Sequence, residues 1–299
     1  EYKQGKHTFN LEMNSLADLS NEEYQRLYLG LNKAGSPSSA ANEVQSNFSG
    51  IPPATVNWYL DGISGRVKDQ GQCGSCWAFS AVATMEGAFN LKNNGSIPST
   101  CTTTCGPHNN PCCEFSEQEL VDCTLRGEDT CDWGGEMHDG IMEIVENHAG
   151  KINVEAQYKY TGISRGKCRA QDAVAVTTGI SGYANVSGVG MPVWPYGNET
   201  ALMHAIWKQP VVSVAIDASS SKFQLYFSGV FNEPTCKRQN ELLDHGVSLI
   251  GYGTSLGGEA YWMVKNSWGW QWGMHGYIQM SKDKNNQCGI ATDATYALI

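Results

Sequence analysis

The sequence predicts an α+β fold of 299 residues in which helices come first and strands last. From about residue 58 to 172 the apolar residues fall in helix-compatible runs at 76–83, 117–121 and 137–148. Beyond that the pattern changes to β-branched or alternating runs at 174–180, 211–216, 245–252, 261–266 and 276–280. A third observation is chemical. A cysteine opens the first helix, whereas a histidine and an asparagine sit on two of the strands, so these groups can meet only where the helical and β-rich parts face each other.

The first helix is preceded by Gln70-Gly71-Gln72-Cys73-Gly74-Ser75 and begins at Cys76-Trp77. Unpaired N–H groups give a helix start a partial positive charge, which stabilises a thiolate. The same groups can accept the oxyanion formed when that thiolate attacks a carbonyl, and the Gln70 side-chain amide can add a further donor. Downstream, Leu243-Asp244-His245-Gly246-Val247 leads a histidine into an apolar strand, and Lys265-Asn266-Ser267-Trp268-Gly269 ends another strand in an asparagine. The chemistry implied is a Cys76–His245 ion pair, with Asn266 holding one imidazole nitrogen so that the other faces sulfur. Trp268 would shield that hydrogen bond from water.

These motifs, with Phe115-Ser116-Glu117-Gln118-Glu119-Leu120-Val121-Asp122-Cys123 and Ser213-Val214-Ala215-Ile216-Asp217-Ala218, resemble the papain-like cysteine peptidases, most closely the cathepsin L group. His245 and Asn266 stand 169 and 190 residues after Cys76, beyond the roughly 130 to 150 usual for the family. Insertions near 99–113 and 186–197 account for much of the excess. The resemblance implies a two-lobed papain-like fold: a helical left domain (about 58–172), a β-rich, barrel-like right domain (about 173–299), and an active-site cleft between them. It also implies a cysteine endopeptidase working through an acyl-enzyme, with no cofactor and no metal. Protein and peptide substrates, the chain's own propeptide and cystatin-like inhibitors would be the partners of a monomer. Two other classes compete: a catalytically silent peptide-binding homologue, and a secreted disulfide-rich adhesion protein.

Composition agrees with a secretory or lysosomal setting. A net charge of −10 and a pI near 5.1 argue against nucleic acid or an anionic membrane as partner, and suit an acidic lysosome- or endosome-like compartment or secretion. No apolar run reaches the length of a membrane span, and any targeting segment is expected to precede residue 1. Eleven cysteines allow ten to pair and one to stay free. With Cys76 free, the family pattern implies Cys73–Cys131, Cys123–Cys168 and Cys236–Cys288. Cys101, Cys105, Cys112 and Cys113 crowd one insertion, where two disulfides are expected over a metal site with His108, and their partners stay open. Asn47, Asn94, Asn185 and Asn198 begin Asn-X-Ser/Thr glycan acceptors.

Residues 1–50 read as part of an inhibitory propeptide plus a flexible connector at 34–50, and residues 51–299 as the peptidase, beginning near Ile51-Pro52-Pro53. Ser20 and Glu23 form a helix capping box. The long N-terminal helix of such propeptides is missing, and Glu12 and Leu16 stand where the family motif has glycine and phenylalanine. These departures count against autoinhibition by the segment. Along the cleft, Gly134-Gly135 resembles the glycines that pair with an extended substrate, although one extra residue separates them from Cys131. By the same resemblance Glu136, Met137, Ala215, Leu243 and Asp293 line the pocket for the substrate residue two positions before the cut, P2. An Asp293 carboxylate there should admit Arg or Lys as well as Leu or Phe, because a buried carboxylate is stable only when a cation or donor meets it.

Overall fold

The computed structural model describes residues 7–32, 50–94, 96–124, 130–164, 167–171, 174–186 and 197–299. Residues 34–49 of the connector, Asn47 among them, and 187–196 of the insertion lie outside them. The elements in chain order are β1 (Phe9–Leu11), α1 (Asn21–Tyr28), β2 (Val56–Asn57), α2 (Cys76–Lys92), β3 (Thr103–Cys105), β4 (Asn110–Cys112), α3 (Glu117–Cys123), α4 (Met137–Glu146), β5 (Lys151–Ile152) and β6 (Val176–Thr177). They continue with β7 (Gly182–Asn185), α5 (Glu199–Lys208), β8 (Val212–Ile216), α6 (Ser221–Gln224), β9 (Tyr226–Phe231), β10 (His245–Thr254), β11 (Ala260–Lys265), β12 (Tyr277–Ser281) and β13 (Ala294–Leu298).

Helix α2 organises the first part because it has no polar face. Every residue from Cys76 to Asn90 is buried, and alanines at 78, 81, 83 and 88 let neighbours approach from all sides. A Cβ on Gly87 would stand 2.7 Å from Val211 Cγ2, so the helix lies directly on the start of β8. The buried Glu86 that interrupts this apolar helix accepts from the Phe115 N–H (2.8 Å) and from Lys68 Nζ (2.9 Å). Trp77, Met85, Leu120, Ile141, Ile144 and Ile152 form the core shared by α2, α3, α4 and β5. Val176 and Ile180 belong to that core too, since β6 pairs with β5.

The second part is built on one sheet, in which β1, β9, β12, β11, β10, β8, β13 and β7 follow one another and β2 joins β10. Its inner side packs Val214, Ile216, Val247, Leu249, Trp262, Val264, Ile278 and Tyr296 into a second core. The antiparallel register of β8 and β10 sets His245 opposite Ile216 and Gly246 opposite Ala215. The expected strands at 211–216, 245–252, 261–266 and 276–280 are therefore present with ends shifted by a residue or two. The run at 174–180 is instead the short β6 followed by a turn.

Five disulfides form: Cys73–Cys131, Cys123–Cys168, Cys236–Cys288, Cys101–Cys113 and Cys105–Cys112. Cys76 is the free cysteine. The four-cysteine insertion is a β3–β4 hairpin closed at both ends, which decides its open pairing in favour of disulfides.

His148 joins α3 to α4, its Nδ1 3.2 Å from Glu119 Oε1 and its Nε2 3.3 Å from Glu143 Oε1. The hydrogen bond to Glu119, then that to Glu143, pushes its pKa up to about 9. A raised pKa means the clamp is complete below the ordinary value near 6.5 and is lost as pH rises through about 9. Melting temperatures of the parent chain and His148→Gln should differ most below pH 6.5 and converge above pH 9. A gap constant with pH would rule the clamp out.

Candidate active site

Cys76 is the first residue of α2. Ser75 at the helix cap makes no side-chain bond to the first turn and instead meets Tyr160 Oη at 2.7 Å. With no acidic residue in that turn either, the positive end of the helix stays available to an anion. The sulfur accepts from the backbone N–H of Gly246 at 3.4 Å, which brings the neighbouring His245 alongside it. His245 Nε2 lies 2.8 Å from Asn266 Oδ1, while Nδ1 has no hydrogen-bond partner among the described residues. Asn266 Oδ1 also accepts from the Ser267 N–H at 2.9 Å, which fixes the amide with its oxygen toward the ring. Nε2 is thus the protonated nitrogen, and the Nδ1 lone pair is left for the thiol. Trp268 stacks on the imidazole, centroids 4.7 Å apart and planes at 27°, and is itself buried. Helix α2, strand β10 and the end of β11 thus bring Cys76, His245, Asn266 and Trp268 together.

Gln70 is buried in the same place, its Oε1 accepting from Ser267 Oγ at 2.6 Å. Its Nε2 donates to the Cys73 carbonyl (2.9 Å) and to the Tyr28 carbonyl (3.1 Å). The N–H read from sequence as an oxyanion donor is therefore already spent on a carbonyl of the N-terminal segment. Tyr160, which sequence reading missed, supports the arrangement by donating to the Gln70 carbonyl at 2.8 Å. An aromatic residue 84 positions after Cys76 gives no sequence signal of that role.

Residues 7–32 cross the cleft. Phe9–Leu11 pairs with β9, and the Tyr24 hydroxyl donates to the Ala218 carbonyl at 2.7 Å while its ring meets Trp268 edge-on. The Gly30 N–H reaches the Cys76 sulfur at 3.4 Å. The segment then runs parallel to the cleft edge: Gly135 N–H donates to Gly30 O (3.0 Å), Asn32 N–H to Gly135 O (3.1 Å), and Leu31 N–H to Asp244 O (3.2 Å). This direction sets an N–H against the sulfur, where a carbonyl carbon would be needed for attack. Gly134 has φ +71°, and a Cβ there would run into the Gly30 carbonyl, while a Cβ on Gly135 would press on Trp77 at 2.7 Å. The departures at Glu12 and Leu16 therefore do not keep the segment off the cleft. Among the described residues Glu12 makes only a backbone bond, its N–H donating to the Leu225 carbonyl at 3.0 Å, and Leu16 is buried in the core of the β-rich part.

Burial in the covered cleft opposes charge on both reactive groups. Desolvation pushes the Cys76 thiol up to about 11 against the N–H bonds from Gly246 and Gly30. It pushes His245 down to about 4 despite the bond to Asn266. In this covered form burial opposes charge on both groups and so favours the neutral pair over the ion pair expected from sequence.

Beyond the sulfur, Met137, Ala215 and Leu243 share one apolar cluster with Trp77, and Leu31 packs against it. Glu136 stands at the N-cap position of α4 without a side-chain bond to the first turn, and its Oε2 lies 3.3 Å from His138 Nδ1. Asp293 is buried beside this cluster, its carbonyl accepting from the Ala215 N–H at 2.9 Å. Elsewhere Cys123, Cys168 and a His148 nitrogen lie within 4.8 Å of one another, but the two sulfurs are bonded to each other and can act neither as nucleophile nor as ligands.

Comparison with known proteins agrees with this geometry. Residues 52–298 match the profile of the papain family cysteine proteases. The chain belongs to that family. It is 39% identical to procathepsin L of Rattus norvegicus over all of this chain and 80% of that protein. It is likewise 39% identical to digestive cysteine proteinase 2 of Homarus americanus over all of this chain and 83% of that one. Among solved structures, the digestive procathepsin L2 proteinase from Tenebrio molitor larval midgut superposes with a TM-score of 0.83 at 31% identity, covering all of this chain and 86% of that one. The recombinant stem bromelain precursor gives 0.78 at 32% identity, covering all of this chain and 86% of that one. This papain-family, cathepsin L-like cysteine protease is thus similar to proforms that carry their propeptides.

Gly30 is the tightest point of the cover, since a Cβ there would run into the Gly74 backbone. Gly30→Ala should lift the segment from the sulfur and raise the rate of Cys76 alkylation by iodoacetamide about tenfold or more, as expected when a neutral buried thiol regains solvent and its imidazole partner. An unchanged rate would mean that the segment does not control access.

Proposed function

We propose that Cys76 is the nucleophile, His245 the base and then acid, Asn266 the residue that orients the imidazole, and Gln70 an oxyanion donor of an endopeptidase whose residues 1–50 act as an inhibitory propeptide and linker. The observation that carries this reading is the peptide main chain already crossing the thiol, with its Tyr28 carbonyl on Gln70 Nε2. A substrate entering after the segment leaves can place its scissile carbonyl there, with carbon toward sulfur.

Uncovered and rehydrated, the thiol passes its proton to His245 Nδ1. The thiolate adds to the carbonyl carbon, and the oxygen, now negative, takes N–H bonds from Gln70 and the helix start. His245 returns the proton to the departing amine, which leaves a thioester. The imidazole then takes a proton from water as the hydroxyl attacks, and the acid product departs with the thiol restored.

Substrate would lie along Gly134-Gly135, with P2 in the pocket of Glu136, Met137, Ala215, Leu243 and Asp293, and Trp268 bordering the far side. Leu31 packed on that cluster supports an aliphatic P2. Asp293 adds acceptance of Arg. Release of the peptidase, residues 51–299, by cleavage near Ile51 is supported by the 93% exposure of that residue. Five disulfides support work in an oxidising compartment, lysosome-like or extracellular. The enzyme acts as a monomer on protein and peptide substrates, and a cystatin-like inhibitor would compete for the same open cleft. The intact constellation disfavours a silent homologue or an adhesion module.

Cys76→Ser should abolish hydrolysis of a blocked peptide by the released enzyme, and Gln70→Ala should lower kcat by about 10- to 1,000-fold with KM little changed, as loss of one oxyanion donor does. Substantial turnover by the serine variant would refute the nucleophile. In the same assay Asp293→Ala should reduce cleavage of substrates with Arg at P2 by about 1 to 3 kcal/mol while sparing those with Leu at P2. Equal loss on both substrates would show that the carboxylate does not read P2.

A further inference from the structure

Behind the sheet, away from Cys76, a cavity of about 510 Å³ opens between the stretch 57–67 and strands β10 to β12. That volume is in the range of small-molecule sites. Cys76, His245, Asn266 and Gln70 do not line it.

Three features define what it would hold. Its wall is aromatic and soft: Trp270 and His275 lie nearly parallel, planes at 19° and centroids 6.3 Å apart, and Met263 and Met274 lie beside them. Trp270 is 66% exposed, so an indole that would ordinarily be packed is presented to a visitor. The second feature is charge. On a chain of net charge −10, the lining contains Arg66 and no carboxylate. The Arg66 side chain is 64% exposed, and its ion pair with Glu114 engages Nε at 3.0 Å, leaving the terminal nitrogens without a partner among the described residues. The third is an orphan donor. Tyr277 lines the cavity, and its hydroxyl is closed off from solvent with no acceptor among the described residues, so a guest meets it as the side chains over it shift. Burial also pushes its pKa up, so it remains an O–H donor.

We propose that this cavity is a binding site for a small planar aromatic acid, its ring against Trp270 and its anionic group answered by Arg66 and Tyr277. A purely apolar guest would leave both donors unmet, and a cation would face Arg66. The bidentate geometry of guanidinium toward a carboxylate or sulfonate supplies the orientation.

The test uses the full chain carrying Cys76→Ser, which keeps the segment over the cleft and prevents self-processing. The probe is 8-anilinonaphthalene-1-sulfonate, followed by its own emission and by energy transfer from tryptophan. One saturable site is expected, weakened about tenfold by Arg66→Gln and abolished by Trp270→Ala, with the sulfonate-free N-phenyl-1-naphthylamine binding about tenfold more weakly, as for loss of one charge-assisted pair. Tyr277→Phe, which removes only the hydroxyl, should weaken binding several-fold, as expected for loss of one neutral hydrogen bond, and it keeps the test decisive if Arg66→Gln disturbs the fold through Glu114. Absence of saturable binding, equal affinity for both probes, or binding unchanged in Trp270→Ala and Tyr277→Phe would overturn the proposal.

Discussion

The structure depends on a helix that cannot face water. Because α2 is buried on every side from Cys76 to Asn90, the helical elements must close over one flank and the sheet over the other. This enclosure is why the two parts of the chain share a boundary at all, and why the start of α2 emerges where they part. A helix with one polar face would have satisfied itself at the surface of the first part and left Cys76 beside solvent. The thiol needs the opposite: a helix start that is sheltered, uncapped and within reach of the strand that carries His245. The one charge in the buried stretch of α2 from Cys76 to Asn90, Glu86, is tolerated because Lys68 and the Phe115 N–H meet it there.

The same enclosure makes protonation a function of access. Cys76 and His245 hold opposite charges easily only when water or a polar substrate can solvate them. With residues 28–32 in place, burial opposes charge on both groups, so the nucleophile is disarmed electrostatically as well as blocked sterically. The segment sets a carbonyl on Gln70 and backbone bonds on Gly135, the contacts proposed for a substrate, but in a direction that sets N–H against sulfur. Binding and reactivity are thereby separated, and glycines at 30, 74 and 134 permit the close backbone approach this requires.

Much of this was legible in the sequence because it rests on local rules. Cys76 at a helix start, His245 at the head of a strand and Asn266 at the end of another follow from short-range pattern, as do the Ser20–Glu23 capping box and the strands at 212–216 and 260–265. What was not legible depends on long-range geometry. Strand β1 has only three residues and exists because β9 offers a free edge to Phe9. Strand β13 closes against β7 and β8 through a run, Ala294–Leu298, with only one β-branched residue to announce it. The seat of the N-terminal segment was not legible from Glu12 and Leu16, since the contacts that hold it are made by Tyr24, Gly30 and Leu31 with residues 104 to 213 positions away. Tyr160 and Ser267, which hold Gln70, are polar residues of ordinary appearance until the fold brings them together.

The neutral covered pair and the orphan Tyr277 hydroxyl show one rule acting in two places. A buried polar group without a partner is a demand that the rest of the molecule or a ligand must meet. At Cys76 the demand is met by Gly30, whose N–H satisfies sulfur while it remains uncharged. Behind the sheet no segment of the described chain supplies an acceptor to the Tyr277 hydroxyl. The fold has therefore supplied its own occupant for one recess and left the other for a molecule of matching charge.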